Sequence, residues 1–157
     1  GRTKPKIIVN IQGDEPLLSP ETIDAAVEAL NADKKAGVAT CIVEITSEAE
    51  FNDPAAVKVA VDKNGKALYF TRSAVPHGWE PGITGAFRHV GLYAFRWKAL
   101  SMYTKLDKCE LEGLEKLEQL RLLYHGIGII TVLVKEKSPS VDTEADFQQV
   151  GKMITGS

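Results

Sequence analysis

The feature that most constrains this sequence is an apolar run that leads into a polar loop and then a well-capped helix. Residues 6–11, Lys-Ile-Ile-Val-Asn-Ile, are apolar at successive positions, which is typical of a strand covered on both faces of a parallel sheet. Ser19 is a favourable N-cap and Pro20 suits the first helical position, so a helix is predicted over 20–32. The β-rich stretch 38–45 completes a strand–helix–strand unit. This order of elements predicts an α/β fold.

A turn signal and a long irregular stretch occupy the middle of the chain. Two β-rich runs within 57–72 flank Asn64-Gly65, a dipeptide that tolerates positive φ at both central positions of a type I′ turn. We therefore expect an antiparallel hairpin there. Residues 74–87 are rich in Pro and Gly and lack periodicity, so they predict a long loop of the kind that serves binding or assembly.

The second half of the sequence supplies the remaining elements of a single domain over 1–157. Hydrophobic spacing and capping signals predict a strand at 88–95, helices at 97–106 and 112–125, a strand at 127–134 and a helix that begins just after Asp142. We expect a mixed, mostly parallel sheet with helices on both faces and one antiparallel hairpin.

Charge and apolar content exclude several classes of protein. Hydrophobic residues make up 44% of the chain and charged residues 25%, as in ordinary globular domains. A net charge of -2, without a basic stretch, argues against a nucleic-acid partner. The longest apolar stretch, 127–134, is far shorter than the roughly 20 residues of a membrane span, so no membrane partner is predicted. Cys41 and Cys109 lack the spacing of a zinc site or a disulfide framework, which favours free thiols in a reducing cytoplasm.

The loop Gln12-Gly13-Asp14-Glu15-Pro16 carries the first candidate functional groups. Ligands of α/β sheets bind beyond the carboxyl ends of the strands, where this loop is expected. The same residues also fit an ordinary polar turn in which Asp14 is a local hydrogen-bond acceptor. Asp142 precedes a predicted helix, where a carboxylate favours the helix dipole by about 0.3–1 kcal/mol. Two carboxylates brought together would suit Mg²⁺, but the sequence spacing does not show that they meet.

Six short motifs occur in order along nearly the whole chain. They are VNIQGDEP at 9–16, FN at 51–52 with AVKV at 56–59, YFTRS at 69–73, RHVGLY at 88–93, LEQLR at 117–121 and VDT at 141–143. Together they resemble the 3-deoxy-manno-octulosonate cytidylyltransferases, also called CMP-Kdo synthetases. The resemblance implies a Rossmann-like nucleotidyltransferase fold. It also implies transfer of CMP from CTP to the anomeric hydroxyl of the sugar acid Kdo, with release of pyrophosphate, which activates Kdo for lipopolysaccharide synthesis.

The resemblance also assigns roles to individual residues. It implies that Asp14 and Asp142 are catalytic and hold Mg²⁺. It implies a sugar-binding set that consists of Gln12, Arg72, His89, Tyr93, Glu118 and Gln119. A guanidinium suits the carboxylate of Kdo, and the amide, phenol and carboxyl groups suit its hydroxyls. The substrates would be CTP and Kdo, and the family implies a homodimer.

The family's triphosphate loop, of the form Arg-x-x-Ser-Thr-Arg-Leu-Pro-Gly-Lys-Pro-Leu, has no match in this sequence. We therefore expect a chain that lacks the N-terminal CTP-binding portion and has negligible synthetase activity by itself. Two alternatives stay open: a cytidylyltransferase for a related acid such as a sialic acid, and a non-catalytic module that dimerises through the 74–87 loop and the adjoining strand.

Overall fold

The structure is a computed structural model that describes residues 5–78, 82–135, 141 and 144–155. Its strands and helices alternate along most of the chain. The strands are β1 (Ile7–Ile11), β2 (Val38–Glu44), β3 (Lys58–Val61), β4 (Ala67–Thr71), β5 (Phe87–Arg96) and β6 (Ile129–Leu133). The helices are α1 (Pro20–Ala32), α2 (Glu48–Asn52), α3 (Trp97–Tyr103), α4 (Glu110–Glu115), α5 (Leu120–Tyr124) and α6 (Glu144–Thr155).

One sheet contains all six described strands, and β5 is its centre. The order is β4-β3-β5-β2-β6, and β1 also pairs with β5. Strand β2 pairs along most of β5, while β3 pairs near its beginning, at Lys58↔Arg88, and β1 near its end, at Ile7↔Arg96. Because a strand has only two edges, β1 and β3 lie end to end along the same edge of β5.

The expected mixed α/β architecture is confirmed, but the expectation of a mostly parallel sheet is wrong for the described strands. Only β2 and β6 run parallel, and β5 is antiparallel to β1, β2 and β3. The apolar run at 6–11 indicates that a strand is buried, but it does not indicate whether that strand is parallel or antiparallel to its neighbour. Strand β1 is itself only half-buried, and Ile11 is 44% exposed.

Helices cover both faces of the sheet, as expected. On one face, α1 packs Ala26 and Leu30 against the inward residues of β2, such as Cys41. On the other face, residues of α3 and α5, such as Ala99 and Leu120, pack against alternate side chains of β2 and β5. Among the described residues, no helix combines the length and apolar character needed to cross a membrane.

Local signals placed the helix α1 and the β3–β4 hairpin correctly. The Ser19 hydroxyl accepts a hydrogen bond from the amide of Thr22 at 3.3 Å and so caps α1. The hairpin turn differs from the expected type I′, because Gly65 has φ 78° while Asn64 does not have positive φ. The Asp62 side chain stabilises the turn instead, because its Oδ1 accepts hydrogen bonds from the amides of Asn64 and Lys66 at 2.7 and 2.8 Å. A three-residue loop with a left-handed glycine results.

The helix predicted over 112–125 is instead two short helices. Lys116 ends α4 in the left-handed region, at φ 56°. Residues 117–119 form an irregular connection before α5 begins at Leu120. The leucine spacing fits a continuous helix and does not predict this break. Because of the break, residues 116–119 line the cleft that is described in the next subsection.

Candidate functional site

A polar cleft of about 420 Å³ lies between the loop after β1, the end of β4, strand β5 and the α4–α5 connection. It brings together most of the side chains that the sequence singled out: Gln12, Asp14, Arg72, His89, Tyr93, Glu118 and Gln119. Asp142 lies outside the described residues. The cleft therefore unites groups from positions more than 100 residues apart in the chain.

Backbone contacts with β5 hold the loop after β1 in place. The amide of Gln12 donates to the carbonyl of Gly91 at 3.0 Å, and the amide of Gly91 donates to Oε1 of the buried Glu15 at 3.2 Å. A Cβ at position 91 would lie 2.6 Å from Oε1 of Gln12. A side chain at position 91 would thus displace the end of the Gln12 side chain and crowd Glu15 Cγ and Gln12 Cβ, at 3.2 and 3.3 Å, so Gly91 favours the close approach of this loop to β5.

Asp14 presents a carboxylate oxygen that is suited to a cation. Its Oδ1 is buried, and no described residue forms a hydrogen bond with it. A buried, unpaired carboxylate oxygen is costly unless a ligand completes it. The carbonyl of Asp14 accepts a hydrogen bond from the amide of Val141 at 2.8 Å, so the chain next to Asp142 reaches this loop. Among the described residues, no cluster of three or more His, Cys, Asp or Glu could hold a metal.

Arg72 follows β4 and is fixed from two sides. Its Nε donates to the carbonyl of Glu115 and its Nη1 to the carbonyl of Pro54, each at 2.9 Å. A guanidinium carries five N–H donors, and no described residue accepts a hydrogen bond from Nη2, which can therefore serve a ligand in the cleft. Such a planar guanidinium group matches the geometry of a carboxylate.

The Glu115 side chain ties the two walls of the cleft together. Its carboxylate accepts hydrogen bonds from the Thr71 hydroxyl at 2.7 Å and from the amide of Arg72 at 2.9 Å, with a longer contact of 3.5 Å to the hydroxyl of Tyr69. Burial opposes ionisation of Glu115, but these hydrogen bonds and the Arg72 charge outweigh burial and lower its pKa. Glu115 is therefore an ionised cross-link between α4 and the end of β4.

Buried Lys58 fixes the neighbouring loop. Its side chain is fully buried, and Nζ donates to the carbonyl of Asp53 at 2.6 Å. Burial lowers the pKa of this amine, with opposing effects from nearby carboxylates. Together with the Arg72 bond to Pro54, this contact holds the segment that lines the cleft through Ala55 and Val57.

His89 and Tyr93 form the buried floor of the cleft. Their rings lie 5.1 Å apart, and Phe70 packs edge-on against His89 at 5.3 Å. Burial, with a smaller effect from the Arg88 charge, lowers the pKa of His89 to about 3, so the imidazole is neutral near pH 7. Burial also raises the pKa of Tyr93 well above its ordinary value, so its phenol keeps its proton. No described residue hydrogen-bonds to that hydroxyl, which remains able to serve a ligand.

The α4–α5 connection supplies the opposite wall. Glu118 is exposed and Gln119 is buried, and Lys116 lines the cleft beside them. A bidentate ion pair joins the two helices on either side of this connection: Nε and Nη2 of Arg121 in α5 donate to the Glu112 carboxylate in α4 at 2.7 and 2.5 Å.

Several residues that shape the cleft were not predicted. They are Glu15, Thr40, Lys58, Glu115 and Lys116. Two of them could have been found from the sequence, because Thr40 and Lys58 are polar residues inside β-rich runs. A polar group buried in a strand needs a hydrogen-bond partner, so such positions indicate buried contacts. Nothing in the spacing distinguishes Glu115 from the other acidic residues of the predicted helix.

Known proteins are similar to this chain in sequence, and a solved structure is similar to it in fold. The 3-deoxy-manno-octulosonate cytidylyltransferase of Chloroherpeton thalassium is 45% identical over 154 residues, which are 94% of this chain and 61% of that protein. Its counterpart in Desulfatibacillum aliphaticivorans is 38% identical over 155 residues, 98% of this chain and 63% of that protein. A solved CMP:2-keto-3-deoxy-manno-octonic acid synthetase complexed with CTP superposes with a TM-score of 0.90 at 36% identity, covering 98% of this chain and 64% of that one.

These matches confirm the resemblance that the motifs indicated and the nucleotidyltransferase fold that it implied. The chain spans a little under two thirds of the length of these relatives. The sequence profile described as cytidylyltransferase matches residues 2–136, which form both walls and the floor of the cleft. By this match and by its fold, the chain belongs to the cytidylyltransferase family.

Proposed function

We propose that this chain carries the sugar-acid site of a 3-deoxy-manno-octulosonate cytidylyltransferase, which moves CMP from CTP to Kdo and releases pyrophosphate. The observation that carries the proposal is the convergence of Gln12, Arg72, His89, Tyr93, Glu118 and Gln119 on one polar cleft. The relatives named above bear this activity in their names.

The chemistry of the cleft matches an anionic polyol. The Nη2 group of Arg72 is suited to the carboxylate of the sugar acid. The neutral ring of His89 accepts a hydrogen bond, and the protonated Tyr93 donates one. The amides of Gln12 and Gln119 can do both, and the Glu118 carboxylate accepts from hydroxyls. With a pKa of about 3, His89 is a poor general base near neutral pH, so its role is to bind and orient the sugar.

The transfer requires positioning more than covalent chemistry. The anomeric oxygen of Kdo forms a bond to the α-phosphorus of CTP while the bond to pyrophosphate breaks. Holding the sugar by both its carboxylate and its hydroxyls aligns that oxygen and supplies much of the rate enhancement. No enzyme nucleophile is needed.

Asp14 would hold Mg²⁺ together with Asp142. The buried and unpaired Oδ1 of Asp14 fits a hard cation that protein carboxylates and substrate phosphates share. When bound, Mg²⁺ would neutralise negative charge on the phosphate oxygens. Asp14 itself serves to fix the position of that charge relative to the sugar cleft.

The proposed function extends to location and assembly. Cys41 and Cys109 are both buried and free, which supports a reducing cytoplasm. The resemblance also supports a homodimer, with the 74–87 loop as the expected contact segment. Sedimentation equilibrium of the chain tests this, and a monomer at all concentrations would contradict it.

Calorimetric titration of the chain with Kdo tests the function. We expect saturable binding, and we expect Arg72→Gln to weaken it about 10- to 100-fold, since hydrogen bonds to a charged group contribute about 1.5–3 kcal/mol. Lys105→Gln removes an exposed positive charge on another part of the surface and is the matched control. Preference for N-acetylneuraminic acid would favour a sialic acid enzyme, and binding of neither sugar would contradict the proposal and favour a non-catalytic assembly role.

A further inference from the structure

An irregularity in the sheet places a buried hydroxyl beneath the floor of the cleft. The register of β2 against β5 shifts between Thr40 and Cys41, which pair with Tyr93 and Val90. The shift leaves the carbonyl of Leu92 facing the Thr40 side chain, and Thr40 Oγ1 lies 2.6 Å from that oxygen. The same Oγ1 lies 2.8 Å from Nε2 of His89. Thr40 is fully buried, so water does not compete for these contacts.

Counting protons assigns the direction of each hydrogen bond. The Thr40 hydroxyl has one proton, and the carbonyl of Leu92 can only accept. At 2.6 Å from that carbonyl, Oγ1 must donate to it, since two unprotonated oxygens would repel each other at this distance. Nε2 of His89 must then donate to Oγ1. A neutral imidazole with its proton on Nε2 has a bare Nδ1, which is an acceptor.

We propose that Thr40 is a positioning residue that fixes the tautomer of His89, so that Nδ1 accepts a hydrogen bond from a hydroxyl of the bound sugar acid. The inference rests on the proposed function for the identity of the ligand, but the tautomer follows from this chain alone. No described residue hydrogen-bonds to Nδ1, and His89 lines the cleft. Tyr93, whose ring lies 5.1 Å from that of His89, also lines the cleft and carries a phenolic donor.

The surroundings of His89 keep this arrangement in place. The rings of Phe70 and Tyr93 hold the imidazole on two sides. Burial and the Arg88 charge lower its pKa to about 3, so protonation does not convert Nδ1 into a donor near neutral pH. Thr40 therefore sets which atoms of a polyol can bind: the sugar must present an O–H toward Nδ1.

Long-range proton–nitrogen NMR correlation on the chain tests the tautomer directly, because the sequence has only 3 histidines. We expect the Nε2–H form of His89 in the wild type. Thr40→Val keeps the shape but removes the acceptor, and a buried N–H without a partner is costly, so the ring should shift toward the Nδ1–H form. Thr40→Ser retains a hydroxyl and should restore the wild-type pattern. An Nδ1–H form in the wild type would overturn the proposal even if the Val variant failed to fold.

Titration with Kdo tests the second half of the proposal. We expect Thr40→Val to weaken Kdo binding about tenfold, as for one hydrogen bond lost or reversed, and Thr40→Ser to bind within about twofold of the wild type. A shifted tautomer with unchanged Kdo affinity would overturn the contact between Nδ1 and the sugar. Failure of the wild type to bind Kdo would refute the proposed function and this contact together, whereas the NMR result would still decide the role of Thr40.

Discussion

Removing the Glu115 carboxylate should destabilise the fold more than most substitutions of half-buried residues do. Two short hydrogen bonds reach it, from the Thr71 hydroxyl and the Arg72 amide. Each such bond to a charged acceptor is worth about 1.5–3 kcal/mol, and partial exposure of Glu115 favours the lower end. We therefore expect Glu115→Ala to lower the free energy of unfolding by about 3 kcal/mol at pH 7.

Urea unfolding followed by circular dichroism measures this loss, provided that the slope of the transition is shared between variants. Glu110→Ala is the matched control, because Glu110 is an exposed acid in the first turn of the same helix. It should cost only the dipole interaction, about 0.3–1 kcal/mol. Equal losses for the two variants would refute the assignment of Glu115 as a cross-link.

The pH dependence gives an independent check on Glu115. Its pKa is lowered in the folded state from an ordinary value of 4.5, so its contribution is fully present above pH 4.5. That contribution is lost as the pH falls through the lowered folded pKa. The difference in stability between the wild type and Glu115→Ala should therefore shrink below pH 4.5, and a difference that stays constant into strong acid would contradict an ionised role.

Two further substitutions probe the loop after β1. Gly91→Ala should displace the end of the Gln12 side chain and weaken Kdo binding, since the new Cβ would lie 2.6 Å from Gln12 Oε1; because that flexible end can move, we expect a stability cost of about 1 kcal/mol, the low end for overpacking. Gly113→Ala, which meets no atom within 4 Å, is its control, and equal effects of the two would contradict the close approach. For Asp14, bound Mn²⁺ should broaden the amide signals of residues 13–15, and Asp14→Asn should weaken that effect at least tenfold. The exposed Asp24→Asn should leave the broadening unchanged, and broadening that survives Asp14→Asn would exclude Asp14 as a ligand.

Elements with strong local signals were predictable from the sequence, and elements set by distant partners were not. Ser19 and Pro20 determine where α1 begins, so its bounds were correct. The direction of β1 depends on β5, which lies some 80 residues later, and an apolar run carries no information about that partner. The break at Lys116 lies between residues with distant partners, Glu115 bonded to Thr71 of β4 and Glu112 paired with Arg121 of α5, and the leucine spacing carries no information about those partners.

The residues of the cleft show the same difference between features with a local sequence signal and features that depend on distant partners. Family motifs indicated its polar side chains, and the fold brings all of the described ones together. Residue types and spacing alone did not show that Asp14 and Arg72 would share a cleft. Thr40 was missed because its role arises from a register shift in the β2–β5 pairing: a hydroxyl inside a β-rich run indicates a buried partner but does not identify which residue it is.

The bracketed connection between α4 and α5 has a consequence for selectivity. Its ends are held by the left-handed backbone of Lys116 and by the Glu112–Arg121 fork, so contacts within the chain itself shape this wall. A preformed surface costs little entropy to fill, but it cannot adapt to a guest of another outline. Under the proposed function, we therefore expect discrimination among acidic sugars of different chain length to depend on the contour of residues 116–119, so exchanging that short segment between relatives should change the preferred acid while leaving the fold intact.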